Sequence, residues 1–183
     1  MSLEIVLGPM FSGKSSYALS YIRKQRAIGR SVVAVKPSID NRYSESDIVT
    51  HNQESVPCIK WNDLDTRLSP IPEMSQAECV VVEEAQFFKG LSDFCKYMIH
   101  NGRHLVLVGL DGDAHQQPFR ELLDCVPWAN KVTKLNALCS VCRDGTEASY
   151  TRYKPNSNQN GTQIDVGGSD KYEAVCLKCL HTV

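Results

Sequence analysis

Short apolar strands alternating with helices, followed by two tight cysteine pairs, predict an α/β fold. The expected form is a parallel sheet flanked by helices, with a small zinc-ribbon domain after it. The strand candidates are continuous apolar runs, the pattern of strands covered on both faces. Apolar residues make up 42% of the 183, enough for a sizeable core and against global disorder. Twenty basic and 21 acidic residues leave a formal net charge of −1. The chain as a whole therefore has no pull toward nucleic acid or membrane, and any anion site must be local. No apolar run approaches the roughly 20 residues of a bilayer span. The opening MSLEIVLGPM has no basic segment before its apolar stretch and does not read as a signal peptide. A reducing, cytoplasmic compartment is expected.

Leu3 to Leu7 reads as the first strand. Residues 14 to 28 follow with helical spacing, Ala18, Leu19, Ile22 and Ile28 near one stripe and Gly29 as the stop. Ser31 to Lys36 is a second strand ended by Pro37. Residues 38 to 55 are polar and irregular; 56 to 78 are ambiguous, Pro70 and Pro72 arguing against a long element. Cys79 to Val82 is a buried strand and Gly90 to Asn101 a helix stopped by Gly102. His104 to Leu110 is another strand, Phe119 to Cys125 a short helix, and Val132 to Leu138 a last strand. The α/β pattern stops there. Two domains are expected, 1–138 and 139–183, the second holding a polar stretch, KPNSNQNGTQ, that reads as a mobile loop.

Gly8-Pro-Met-Phe-Ser-Gly13-Lys14-Ser15 fits G-x-x-x-x-G-K-[ST] between a strand and a helix. Glycines let the backbone curl so that N–H groups face a phosphate. Lys14 adds charge at the β/γ phosphates, the Ser15 hydroxyl suits Mg²⁺, and the helix aims its positive end at the anion. A carboxylate at a nearby strand end should complete the Mg²⁺ shell, and Val80 to Glu84, VVVEE, supplies two. Successive side chains on a strand diverge, so one of Glu83 and Glu84 can face Mg²⁺ and the other a substrate hydroxyl; one also reads as a solvated strand end. Arg42, in Asp40-Asn-Arg-Tyr43, reads either as a surface arginine or as an arginine finger.

Of eight cysteines, Cys58, Cys79, Cys95 and Cys125 are scattered and read as core or near-surface thiols. Cys139, Cys142, Cys176 and Cys179 form two C-x-x-C units separated by 33 residues, the spacing of a closed, structural Zn²⁺ site. Such a site ties both ends of residues 143–175 and leaves a long loop between, of a length that is usually functional.

Taken in order, GPMFSGKSS, DNRY at 40–43, TH at 50–51, EEAQFF at 83–88, GLDG at 109–112, PF at 118–119, the cysteine pairs and GGSDKY at 167–172 resemble the type II thymidine kinases over most of the chain. The resemblance implies an enzyme of nucleotide salvage and DNA synthesis. It would move the ATP γ-phosphate to the 5′-hydroxyl of thymidine, or less readily deoxyuridine, with dTTP as feedback inhibitor in a homo-tetramer or dimer. It implies a lasso loop, roughly 152–172, that closes over the nucleoside and reads the base through backbone groups. Glu84 then looks like the general base, with Lys14 and Arg42 on the phosphoryl group. Pro9, Met10, Phe11, Ser12, Ser16 and Asp40 join the phosphate-side set, and Ser15 and Glu83 hold Mg²⁺. Met10, Phe87, Leu110, Phe119, Thr151, Ile164, Val166, Gly167, Gly168 and Tyr172 line the nucleoside pocket. Two departures stand out: Glu83 where many members have Asp, and Ala114 where vertebrate members have an aromatic residue. The residues alone leave two other readings open. One is a nucleoside kinase for another base. The other is a zinc-ribbon ATPase on nucleic acid, which the thin spread of Arg143, Arg152, Lys154, Lys171 and Lys178 opposes.

Overall fold

The computed structural model describes residues 1–40, 47–49, 54–61 and 72–181. Its elements in chain order are β1 (Ser2–Leu7), α1 (Lys14–Ala27), β2 (Val32–Pro37), β3 (Asp47–Val49), β4 (Ser55–Pro57), β5 (Ile59–Trp61), α2 (Pro72–Gln76), β6 (Cys79–Val82), α3 (Leu91–His100), β7 (His104–Gly109), α4 (Arg120–Leu123), β8 (Lys131–Lys134), β9 (Ala137–Leu138), β10 (Glu147–Ala148), β11 (Tyr150–Tyr153), β12 (Tyr172–Val175) and α5 (Leu177–Leu180). A six-stranded sheet runs β5-β2-β6-β7-β1-β8, every neighbouring pair parallel.

Period two divides each strand between two cores. Leu3, Ile5, Leu7, Val80, Val82, Leu105 and Leu107 face one side, against Leu91, Phe94, Cys95 and Met98 of α3 and against Met74 and Leu122. Val6, Val32, Ala34, Cys79, Val81, Val106 and Val108 face the other, against Ala18, Leu19 and Ile22 of α1. Cys79, Cys95 and Cys125 are buried thiols and Cys58 is half-buried, as expected. A third, smaller core gathers Ala137, Ala148, Ala174, Val175 and the paired cysteines, with Phe11 of the β1–α1 loop packed against it.

Five strands of the sheet and the helices α1 and α3 are as predicted, while the edge strand β5 falls in the ambiguous stretch. The last strand differs: Val132 to Leu138 is two elements. Leu135 donates its N–H to the Leu7 carbonyl, closing the sheet edge; the chain then leaves the sheet, and Ala137 and Leu138 pair antiparallel with Ala148 and Glu147. The ambiguous stretch holds α2, with Pro72 at its first position, where a missing N–H costs nothing. The irregular stretch holds the short β3–β4 hairpin, too brief for a periodic signal.

Candidate active site

Residues 8–13 join the C-terminal end of β1 to α1. Gly8 has no room for a side chain, since a Cβ would lie 2.3 Å from the Leu135 carbonyl oxygen. Gly13 at the N-cap brings no side-chain cap and the first turn of α1 contains no acid, so its N-terminal N–H groups suit an anion. Lys14 is buried and curls back: its Nζ donates to the Pro9 carbonyl at 2.6 Å and to Ser12 Oγ at 3.4 Å. Ser15 Oγ donates to Glu83 Oε1 at 2.5 Å.

Glu83 and Glu84 end β6 and part company. Glu83 is buried; burial first, then the neighbouring Glu84 charge, pushes its carboxyl up to about 7, while the Ser15 hydroxyl and Lys14 pull the other way. Its second oxygen, Oε2, is buried and has no hydrogen-bond partner among the described residues. An orphaned, acceptor-only oxygen beside a serine hydroxyl is a donor set that suits Mg²⁺, a hard cation that binds through oxygen. Glu84 has left-handed backbone, φ 50° and ψ 43°, a conformation costing on the order of 1 kcal/mol or more. The turn sends its side chain into a cavity open to solvent.

That cavity is also lined by Met10, Asp40, Phe87, Leu110, Phe119, Thr151, Val166, Gly167 and Tyr172, all expected at the phosphate or nucleoside sites. Phe87 meets Phe119 edge-on, centroids 6.1 Å apart. Met10 donates its N–H to Thr151 Oγ1 at 2.9 Å, which brings the phosphate loop against β11. Ile164 and Gly168 are not on this wall. Ile164 lines an adjoining cleft with Phe88, Lys89 and Arg120 and is partly exposed. Arg42, Tyr43, Thr50 and His51 lie outside the described residues.

Sequence reasoning missed several groups. Gln86 is buried; its Oε1 accepts the Leu110 N–H at 3.0 Å and its Nε2 donates to Glu84 Oε2 at 2.6 Å. A backbone N–H can only donate, which fixes the amide orientation. Gly109 makes this possible, because a Cβ there would lie 2.4 Å from Gln86 Oε1. Asp113, His115, Tyr153, Gln163 and Asp165 also line the cavity, together with Ala114, which the sequence singles out. Tyr153 was within reach of the sequence: two residues from Thr151 on one strand, it must share its face.

The four paired cysteines converge, their Sγ atoms all within 4.8 Å of one another. Cys142 Sγ lies 3.4 Å from Cys179 Sγ and 3.8 Å from Cys176 Sγ. Four thiolates about 2.3 Å from a tetrahedral Zn²⁺ would sit roughly 3.8 Å apart, so the cluster fits a metal ion of that kind. The Cys176 N–H donates to Cys139 Sγ at 3.4 Å, as a thiolate would require. Among the described residues, no helix is long and apolar enough to cross a membrane.

Comparison with known proteins places this geometry in context. A family model described as thymidine kinase matches residues 1–180. The thymidine kinase of Yaba monkey tumor virus is 35% identical over 182 residues, covering 99% of this chain and 95% of that protein. Thymidine kinase a of Arabidopsis thaliana is 37% identical over 182 residues, covering 97% and 74%. The monkeypox virus thymidine kinase is 32% identical over 180 residues, covering 97% and 95%.

Proposed function

The chain belongs to the thymidine kinase family, and on that premise we propose that it transfers the γ-phosphate of ATP to the 5′-hydroxyl of thymidine, and less readily of deoxyuridine. One observation carries the reading: Met10 of the phosphate loop and Glu84 line the same cavity. A hydroxyl held there meets both a general base and a phosphoryl donor.

Glu84 accepts the proton of the 5′-hydroxyl as oxygen attacks phosphorus. Lys14 exchanges its carbonyl and hydroxyl acceptors for phosphate oxygens, and with Arg42 neutralises the charge of the transferring group. Ser15 and Glu83 would hold Mg²⁺, which when bound supplies charge neutralisation between the phosphates. The Phe87–Phe119 pair, with Leu110 and Tyr172, makes a flat apolar slot suited to a pyrimidine. Residues 152–172 close over it and read the base through backbone groups. The four cysteines hold structural Zn²⁺ and set residues 139–183 apart as a second domain. dTTP, which carries the same base, inhibits by feedback. We place the enzyme in the cytoplasm as a tetramer or dimer, acting in nucleotide salvage, without a nucleic-acid partner.

An acceptor panel tests this. With Mg·ATP and thymidine, deoxyuridine, deoxycytidine or deoxyguanosine, ADP release should be fastest with thymidine and next with deoxyuridine. No acceptor-dependent release from zinc-loaded protein would overturn the reading. Release with another nucleoside would favour the alternative base. Ala114 on the cavity wall supports that second reading, because it leaves more space than a large side chain. Glu84→Gln should lose most turnover and keep nucleoside binding.

A further inference from the structure

We propose that Asp165 is a positioning residue for the nucleoside: it holds the loop between β11 and β12 in the shape that forms the cavity wall. The proposal rests on reading that cavity as the nucleoside pocket. The loop runs against ordinary hydrophobic patterning. In Gln163-Ile-Asp-Val166, Ile164 and Val166 are 42% and 38% exposed, while the Asp165 side chain is only 5% exposed. The apolar residues are left partly exposed while the acid is enclosed, so something other than hydrophobic burial must fix this segment.

The contacts of Asp165 supply it. Lys171 Nζ pairs with Oδ1 at 2.5 Å. The Tyr153 hydroxyl donates to Oδ2 at 2.9 Å, and the Asn160 N–H donates to the same oxygen at 3.2 Å. The Tyr172 hydroxyl donates to the Asp165 carbonyl. Tyr153 and Tyr172 are directly paired partners on β11 and β12, and their rings stack at 4.9 Å between centroids. One residue in the loop therefore grips both strands at its neck, where Lys154 donates its N–H to the Lys171 carbonyl at 2.9 Å. Gly167 allows the close return: a Cβ there would lie 2.7 Å from Lys171 Cδ. Tyr153, Asp165, Gly167 and Tyr172 all line the cavity, so the grip and the wall are one structure. The groups that make the grip belong to the chain itself, so it needs no nucleoside to form.

The test is hydrogen exchange across residues 155–170 in ligand-free, zinc-loaded protein, alongside thymidine affinity and turnover. Losing a buried carboxylate with charge-assisted hydrogen bonds should weaken nucleoside binding about ten- to hundred-fold. In Asp165→Ala the loop should exchange faster, thymidine Kd and KM should rise by that factor, and kcat at saturating thymidine should stay within about threefold. Affinity for ATP should not change. Tyr153→Phe, which removes one hydroxyl without removing volume, should show the same changes to a smaller degree, and decides alone if the alanine variant does not fold. Unchanged loop exchange in Asp165→Ala, or in Tyr153→Phe where only that variant folds, would overturn the proposal. Faster exchange with unchanged nucleoside affinity would overturn it too. Loop exchange is read without any nucleoside, so failure of this proposal is distinct from failure of the acceptor panel.

Discussion

Glu83 and Glu84 adjoin in the chain yet meet different surroundings. Glu83 is enclosed and its carboxyl is pushed up to about 7, mainly by burial. Between the ordinary carboxyl value of 4.5 and about 7, the folded state therefore holds a proton that the unfolded chain has released. In protein stripped of divalent cation and nucleotide, stability should be fullest below that window and fall as pH rises through it. Thermal melts of wild type and Glu83→Gln across that range check this: the wild type should lose Tm with rising pH, and the amide variant should lose much less. Gln86 acts on the other carboxylate. Gln86→Leu removes one charge-assisted hydrogen bond to Glu84, worth about 1.5–3 kcal/mol. If that loss falls on the transition state, kcat drops roughly ten- to hundred-fold while nucleoside Kd holds. Gly109→Ala should act through the same contact, so the double variant should be no slower than the slower single one. Additive losses would mean that the two residues act separately. At this scale the sequence displayed the acids, and the strand period announced that they would diverge. It displayed Gln86 only inside EEAQFF and gave it no role, because the partners of a buried amide between strand ends have no periodic signature.

At the scale of elements, β1, β2, β6, β7, α1 and α3 were legible because each is a long apolar pattern closed by a recognisable stop. What escaped was short: three-residue strands and five-residue helices carry too few side chains for a period to show, and their places are set by tertiary contacts. The split of Val132 to Leu138 belongs here. Loose alternation cannot distinguish one strand from two that turn into different sheets, and the Leu135 to Leu7 hydrogen bond decides it. The helix α3 carries a testable share of stability. Phe94 is fully buried with Leu91 and Met98 in the larger core, and Phe94→Ala should cost about 3–5 kcal/mol, measured as a shift in denaturant midpoint with unchanged slope.

For the whole molecule, the parallel order puts the phosphate loop after β1, Asp40 after β2, Glu84 after β6 and Leu110 after β7, all at the carboxyl ends of strands, where open α/β sheets bind ligands. The sequence located that rim through its motif. The far wall of the cavity was harder to read: Tyr153 ends β11 and Asp165 arrives from the loop after it, whose flanking strands pack against the cysteine cluster. Removing the metal should therefore remove nucleoside recognition before it melts the sheet. A zinc-selective chelator, with Mg·ATP restored for the assay, should abolish thymidine-dependent ADP release and leave a cooperative thermal transition, since neither sheet core contains a cysteine of the two C-x-x-C units. Loss of both at once would mean that the cores are not separable in this way.

The phosphate loop leans on the cysteine lobe twice, through the Met10 N–H on Thr151 Oγ1 and through Phe11 against the third core. This seam bears on heredity as well as on stability. A chimera taking residues 1–138 from one relative and 139–183 from another would have to match at Met10, Phe11 and Thr151 together. Recombination should therefore pass the two parts on as a matched pair rather than as interchangeable modules.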